Sequence, residues 1–337
     1  MAFHTSNIEC PGLSDQTRCE TPLQQHVENA LSADPEPFPT SRGDAQTNWL
    51  NMFGVVFAHS VAILAFFPWF WTPGGPITAF VGLYIFGTLG ISLGYHRLLA
   101  HRSFECPKWM ERTFVTLGIC CVQDSPVNWV AVHRRHHHHS DRSGDPHSPR
   151  RGLFRSHIGW ILRAEYPTER WQLAHRYSQD ILRDPYYAWL ERYYRWLLVI
   201  AASCALIFAF AFVLALLRGL STADSLHVGL CYFVWAAGVR TVAVWHITFS
   251  VNSATHRWGY RNYETDDDSR NNILVGFLSN GEGWHNNHHA EPNAAQFGRR
   301  WWEVDISFST IRLLRLVGLA KNIRLPQRQP LPTGSPI

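Results

Sequence analysis

Imbalance of charge is what this 337-residue sequence has least of: 30 Lys and Arg stand against 26 Asp and Glu, leaving +4 with His neutral. Nothing in so mild a total points to nucleic acid, and no nucleic-acid partner is expected. Cysteine is sparse as well. Cys10, Cys19, Cys106, Cys120, Cys121, Cys204 and Cys231 show neither metal-finger spacing nor the pattern of a disulfide framework, so they read as reduced thiols. Residues 1–48 lack the succession of charged start, apolar core and small-residue cleavage site, so no secretory signal is expected and insertion into a membrane falls to internal segments. The same stretch is rich in Pro, Ser, Asp and Gln with little periodicity, which predicts a flexible N-terminal tail over 1–48. A second tail is expected over 326–337.

What the sequence does have is apolar residues bunched into long runs. The mean hydropathy is nevertheless slightly negative, so a large polar portion must accompany any membrane portion. Runs at 49–71 and 76–95 each approach the roughly 20 residues needed to span a hydrocarbon core of about 30 Å. Only "TPGG" separates them, which predicts an antiparallel helical hairpin. A second pair, 196–217 and 226–249, is joined by "RGLSTADS". Trp49, Trp69, Trp71 and Trp196 stand at span ends, where amphipathic rings favour the headgroup region. Two hairpins leave both large polar segments, 96–195 and 250–325, in one compartment. Segment 96–194 holds 15 Lys and Arg and segment 251–337 holds 10, whereas the two opposite loops hold only Arg218. The positive-inside rule therefore predicts that the polar segments and both termini are cytoplasmic. The weaker apolar run 113–132 is broken by Gln123, Asp124 and Pro126 and reads as interfacial or dipping. His59, inside the first span, is a candidate functional group by its depth, although a neutral histidine packed between helices explains it more simply.

Histidine falls in four clusters, all in the two polar segments or at their borders. "HRLLAH" carries His96 and His101, "VHRRHHHHSD" carries five histidines within seven positions, "NSATH" carries Asn252 and His256, and "WHNNHH" carries His285, His288 and His289. On a helix, residues three and four apart share a face, so His133, His136 and His137 are expected to project together, as are His285, His288 and His289. Neutral imidazole suits Zn, Cu, Fe and Ni alike. The count discriminates: a structural zinc takes about four ligands, often with Cys, whereas about nine histidines without cysteine fit two ions. The carboxylate-rich di-iron pattern of helical bundles needs two Glu-x-x-His pairs, and only Glu282 with His285 is found. A binuclear, all-histidine site is the economical reading.

Together with "GYHRLLAHRSF", "DPHSPRRGLFRSHIGW" and "GEGWHNNHHA", these clusters resemble the membrane-bound fatty-acid desaturases, specifically their acyl-CoA and bacterial acyl-lipid Δ9 group. The resemblance runs from about Trp49 to about Leu325, the extent expected of the membrane domain. It meets the family's H-x4-H, H-x2-H-H, N-x3-H and H-x2-H-H spacings. It implies an all-α integral membrane protein of four transmembrane helices, with a cytosolic helical cap over a histidine-rich di-iron site. It further implies one iron held by His96, His133, His137 and His285, with Asn252 reaching it through water. The second iron would be held by His101, His136, His256, His288 and His289. H-x2-H-H fits only His133, His136 and His137, which leaves His138 and His139 surplus, in surface or supporting contacts. The implied reaction inserts a cis double bond at carbon 9 of a saturated acyl chain, carried by coenzyme A or a glycerolipid, with O2 as co-substrate.

Removing hydrogens from an apolar chain calls for a strong oxidant made from O2, which a redox metal pair supplies and zinc cannot. Two of the four electrons that O2 requires come from the chain. The other two need a separate donor of ferredoxin or cytochrome b5 type, because no haem motif is present: "TPGG" lacks the required His. Selectivity between like methylenes must come from positioning, for which Tyr84, Trp129, Trp160 and Trp258 are candidate lining residues. Arg150, Arg151 and Arg155 could hold a phosphate-bearing headgroup or simply serve the charge bias. Asp145 could orient a ligand His through its far nitrogen. Asp266, Asp267 and Asp268 read as a solvated turn that could pair with Arg270. Two other classes stay open: a membrane hydroxylase, against which "GEGWHNNHHA" argues, and a histidine-rich metal transporter, against which the position of the boxes outside the spans argues.

Overall fold

A computed structural model describes residues 46–164 and 170–329. The expected tails at 1–48 and 326–337 lie outside those residues, apart from 46–48 and 326–329, and so do Cys10 and Cys19. The remaining cysteines are free thiols. Among the described residues, strands are confined to a two-residue antiparallel pair, Gln46–Thr47 with Arg163–Ala164. The other regular elements of the described chain are helices.

Eight helices organise it: α1 Trp49–Phe66, α2 Gly74–Ala100, α3 Lys108–Ile119, α4 Pro126–His139, α5 Trp196–Leu217, α6 Thr222–His256, α7 His285–Ala290 and α8 Ile306–Leu316. Of these, α1, α2, α5 and α6 are long and apolar enough to cross a membrane. The spans differ from the apolar runs at their ends. Helix α1 stops at Phe66 because Pro68 follows an extended Phe67, so Trp69 and Trp71 stand beyond it. Helix α6 begins at Thr222, ahead of the apolar run, because the Ser221 side chain accepts from the Asp224 backbone N–H (3.2 Å).

The other ends of α2 and α6 run on past their apolar stretches into the first and third histidine clusters. From Leu83 to Ala100, α2 is wound as a π-helix, and the His101 N–H donates to the His96 carbonyl (3.0 Å). Leu93, Tyr95 and Arg97 are wholly buried there. The spans are thus struts that carry ligand groups to one place. By contrast, α5 buries little of itself against the rest of the protein, and Leu198, Leu206 and Phe210 are exposed. Such a surface needs a hydrocarbon solvent.

The run 113–132 forms no single span. It breaks at 120–125, where Val122 and Asp124 take positive φ and Ser125 caps α4. Asp124 accepts from the Ser125 N–H (2.6 Å) and pairs with Arg170 (2.7 Å). Val115, Ile119, Val127 and Val130 from the two halves pack with Ile91 and Val244 in the main core. Glycine allows the close approach of α3 to α2: a Cβ on Gly90 would meet the Gly118 backbone nitrogen at 2.5 Å. Arg240, wholly buried in α6, donates to the Cys120 carbonyl (2.7 Å) at the C-terminus of α3, where a cation offsets the helix dipole.

His59 belongs to a chain of polar contacts between elements. Its Nε2 lies 3.0 Å from His246 Nε2, His246 Nδ1 lies 2.9 Å from His157 Nε2, and His157 Nδ1 lies 3.0 Å from Ser253 Oγ. This ties α1 to α6 and to the turn at Arg155–Gly159, the packing role that the sequence favoured.

Candidate metal centre

All nine histidines singled out by spacing converge, in two groups whose ligand atoms lie within 4.8 Å of one another. His96, His101, His133, His137 and His288 form the first; His136, His256, His285 and His289 form the second. The rings group differently from the partition implied by the resemblance: His285 lies with the second group, and His101 and His288 lie with the first. Helical geometry supplies the reason. Residues i and i+4 are only about 40° apart around an α-helix of 3.6 residues per turn, whereas i+3 falls about 60° to the other side. His133 and His137 on α4 therefore face one point and His136 another. The same holds on α7, where His285 and His289 face the second group and His288 the first. Each group thus takes three rings from α4 and α7, two from one helix and one from the other, and His96 and His101 bring the first to five while His256 brings the second to four.

Within the first group, Nε2 of His288 lies 3.1 Å from that of His96 and 2.8 Å from that of His137, and His101 and His133 approach to 2.7 Å. Within the second, His285 Nε2 lies 3.0 Å from both His256 Nε2 and His289 Nε2. The outer nitrogens of four rings meet carboxylates. His96 Nδ1 donates to Glu282 (2.5 Å), His136 to Asp145 (3.0 Å), His256 to Asp141 (2.7 Å) and His289 to Asp267 (2.5 Å). An ionised carboxylate only accepts, so the proton of each neutral ring is on Nδ1 and its Nε2 presents a bare lone pair inward. Burial, reinforced by neighbouring rings, holds His101, His133, His137, His285 and His288 well below the ordinary histidine value. Burial likewise takes His289 to about 4 against the pull of Asp267. His136 moves upward because Asp145 outweighs its burial. Lone pairs so crowded repel one another unless a cation lies among them, so the donor set fits two metal ions.

The carboxylates are held in turn. Burial alone would raise Glu282, but His96 and Arg97 take it to about 2. Arg97 is wholly buried and donates to Glu282 (3.1 Å) and Asp305 (3.0 Å). Against its burial, Asp141 is taken to about 2 by His256, and it also accepts from Ser148 (2.7 Å).

Asp145 therefore meets the far nitrogen of one of the converging rings, the contact that its place in "DPH" suggested. Asp141, Asp267 and Glu282 were not legible in that role. Asp267 is no solvated residue but serves His289, while Asp268 pairs with Arg150 (2.6 Å) and Arg270 donates to the Gly259 carbonyl instead. Glu282 serves His96, not His285 three residues on. The only signal available was proximity to a histidine box, which does not say which ring a carboxylate reaches. His138 and His139 turn away from both groups toward Tyr177, whose hydroxyl lies 3.1 Å from His138 Nδ1 and 3.4 Å from His139 Nε2.

A cleft opens onto the site. Ile91, Val244, Ile247 and Val251 give it apolar walls, and His96, His133, Asn252 and His285 border it. Trp129 also lines it, stacked on His133 with ring centroids 5.1 Å apart. Of the other aromatic candidates, Tyr84 meets the Thr310 hydroxyl (2.9 Å), Trp160 packs near His147 (5.4 Å) and Trp258 is exposed.

Residues 69–306 match the family model described as fatty acid desaturase. The chain is 40% identical over 286 residues to the sn-1 stearoyl-lipid 9-desaturase of Anabaena variabilis, covering 84% of this chain and 96% of that one. It is 38% identical over 290 residues to the sn-2 palmitoyl-lipid 9-desaturase of Nostoc sp. (85% and 93%). It is 35% identical over 288 residues to the acyl-CoA C20 Delta5-desaturase of Anemone leveillei (83% of each).

Proposed function

This chain belongs to the fatty acid desaturase family and is an oxidoreductase, and from that premise we propose that it inserts a cis double bond at carbon 9 of a saturated acyl chain held in a glycerolipid. The observation that carries this reading is the pair of histidine groups at the border of an apolar cleft. The relatives with 9-desaturase names act on acyl lipids and match over nearly their whole length, which favours the lipid over coenzyme A as carrier.

In this reading His96, His101, His133, His137 and His288 hold one iron, and His136, His256, His285 and His289 hold the other. Asn252 lies in the cleft wall, as His285 does, and would complete the second set. Iron bound there supplies, with O2, the oxidising power that zinc lacks. The protein's own contribution is placement. The carboxylates lock His96, His136, His256 and His289 in the Nδ1–H form. Phe297, wholly buried and 4.4 Å from the His288 ring centroid, keeps water from that side. The apolar cleft fixes how deep an acyl chain reaches, and depth alone separates chemically like methylenes. The electrons balance as O2, two protons, two donor electrons and one CH2–CH2 unit giving one CH=CH unit and two waters. A separate donor of ferredoxin or cytochrome b5 type brings the two electrons. We place one desaturase domain over 49–325, with both polar segments and the termini on the cytoplasmic side, where the basic residues concentrate.

The test is the fatty-acid profile of a Δ9-deficient host expressing the protein, with double bonds located by mass spectrometry. New cis-9 monoenes are expected in the lipids, and none with His285→Ala. Hydroxylated chains, or double bonds at another carbon, would overturn the assignment.

A further inference from the structure

The two histidine groups are equivalent in chemistry but not in what stands behind them. Three of the four rings in the second group donate to an aspartate: His136 to Asp145, His256 to Asp141 and His289 to Asp267. Among the described residues, only one of the five rings in the first group meets a carboxylate, His96 with Glu282. That carboxylate is partly offset by a buried cation. Arg97 lies 3.1 Å from Glu282 and 3.0 Å from Asp305, so three buried charges there sum to about one negative charge. Behind the second group, the Arg150 guanidinium is paired to Asp268 and reaches Asp141 only through its backbone carbonyl (3.0 Å). Arg142 pairs with Asp266 at the surface (3.6 Å).

A carboxylate on the outer N–H of a ligand imidazole makes the inner nitrogen a stronger donor, and it adds negative charge close to the ion in a medium that screens poorly. We infer that the four-histidine pocket grips its metal ion more tightly than the five-histidine pocket, against the order that ligand count alone would give. Glu282, Asp141, Asp145 and Asp267 are accordingly positioning residues of unequal consequence. This rests on the two-metal reading given above.

The experiment follows release of Fe²⁺ from the detergent-solubilised, iron-loaded full chain to an excess of a colour-forming chelator. Two phases of about one ion each are expected. Asp267→Asn should speed the slow phase roughly ten- to a hundredfold, the usual cost of losing such a partner, and leave the fast phase unchanged. Glu282→Gln should speed only the fast phase. Asp141→Asn provides a second route should Asp267→Asn fold poorly. Asp268→Asn, in the same acidic run but without contact to a ligand ring, should change neither phase. Two ions leaving in a single phase, or Asp267→Asn acting on the fast phase, would overturn the asymmetry while leaving the two-metal reading intact. A chain that retains one ion or none would overturn that reading itself.

Discussion

Between His136 and His138 lies a difference that no property of the isolated residues contains. Both are histidines in one unbroken string, yet His136 is buried among the second group while the exposed His138 points at Tyr177. Replacing His136 with Ala is expected to remove at least one metal ion per chain and to abolish desaturation. Replacing His138 and His139 together should leave metal content within about 10% and activity within about twofold, because both rings turn away from the two groups and one exposed and one part-buried hydrogen bond to a single hydroxyl are worth little. Metal analysis of the purified variants decides, and loss of metal from the double variant would shift the register of the box by at least one residue. Spacing did reveal the nine rings, since H-x2-H-H has a single placement in the string. It could not reveal the partition, because i and i+4 differ from i+3 only by the side of the helix on which a partner waits.

The helices act as positioning elements, and their close contacts are where a substitution tells most. Gly90→Ala would force α3 away from α2, because the added carbon falls 2.5 Å from the Gly118 backbone nitrogen. The expected cost is about 1–3 kcal/mol, read as a lower midpoint of thermal unfolding in detergent. Gly54→Ala on α1, with nothing within 4 Å of the added carbon, should be neutral or slightly stabilising. Equal effects of the two would mean that α2 and α3 do not touch as described. Arg134 joins two elements in another way. It donates to the carbonyls of Leu99 (2.8 Å) and Ala100 (2.8 Å) at the end of α2 and pairs with Asp180 (2.7 Å). Arg134→Met should cost about 2 kcal/mol, within the range for charged hydrogen bonds, and speed metal loss by separating α4 from α2. A variant with unchanged unfolding and unchanged metal release would rule out that joint.

At the scale of the whole molecule, a dense set of buried neutral histidines makes stability depend on pH. In the folded state burial keeps His147 near 3 and His289 near 4, and holds His101, His133, His137, His285 and His288 well below the ordinary value. The unfolded chain takes up these protons as pH falls through about 6.5. Unfolding therefore binds protons between about 6.5 and 4, and each such histidine removes about 1.4 kcal/mol of stability per pH unit across its window. His136, shifted upward by Asp145, offsets one of them. Metal-free protein should unfold at markedly lower temperature at pH 5.5 than at pH 7.5, and bound metal should raise both midpoints by mass action. A midpoint independent of pH would contradict the buried, neutral state of the rings.

Local pattern by itself determined that this is a membrane protein and which histidines would converge in it. Apolar runs of about 20 residues have one stable solution in a bilayer, and the box spacings lie within single helices, where geometry is set by the backbone. Everything joining distant segments was left to the tertiary structure. The contact of Glu282 with His96 spans 186 positions and that of Asp141 with His256 spans 115. Neither the length at which a span stops being membrane and becomes a strut for ligands, nor the charge gathered behind each metal pocket, follows from hydropathy or period. Both depend on which faces meet when α2, α4, α6 and α7 pack around one point, where lone pairs separated by most of the chain come within reach of the same ions.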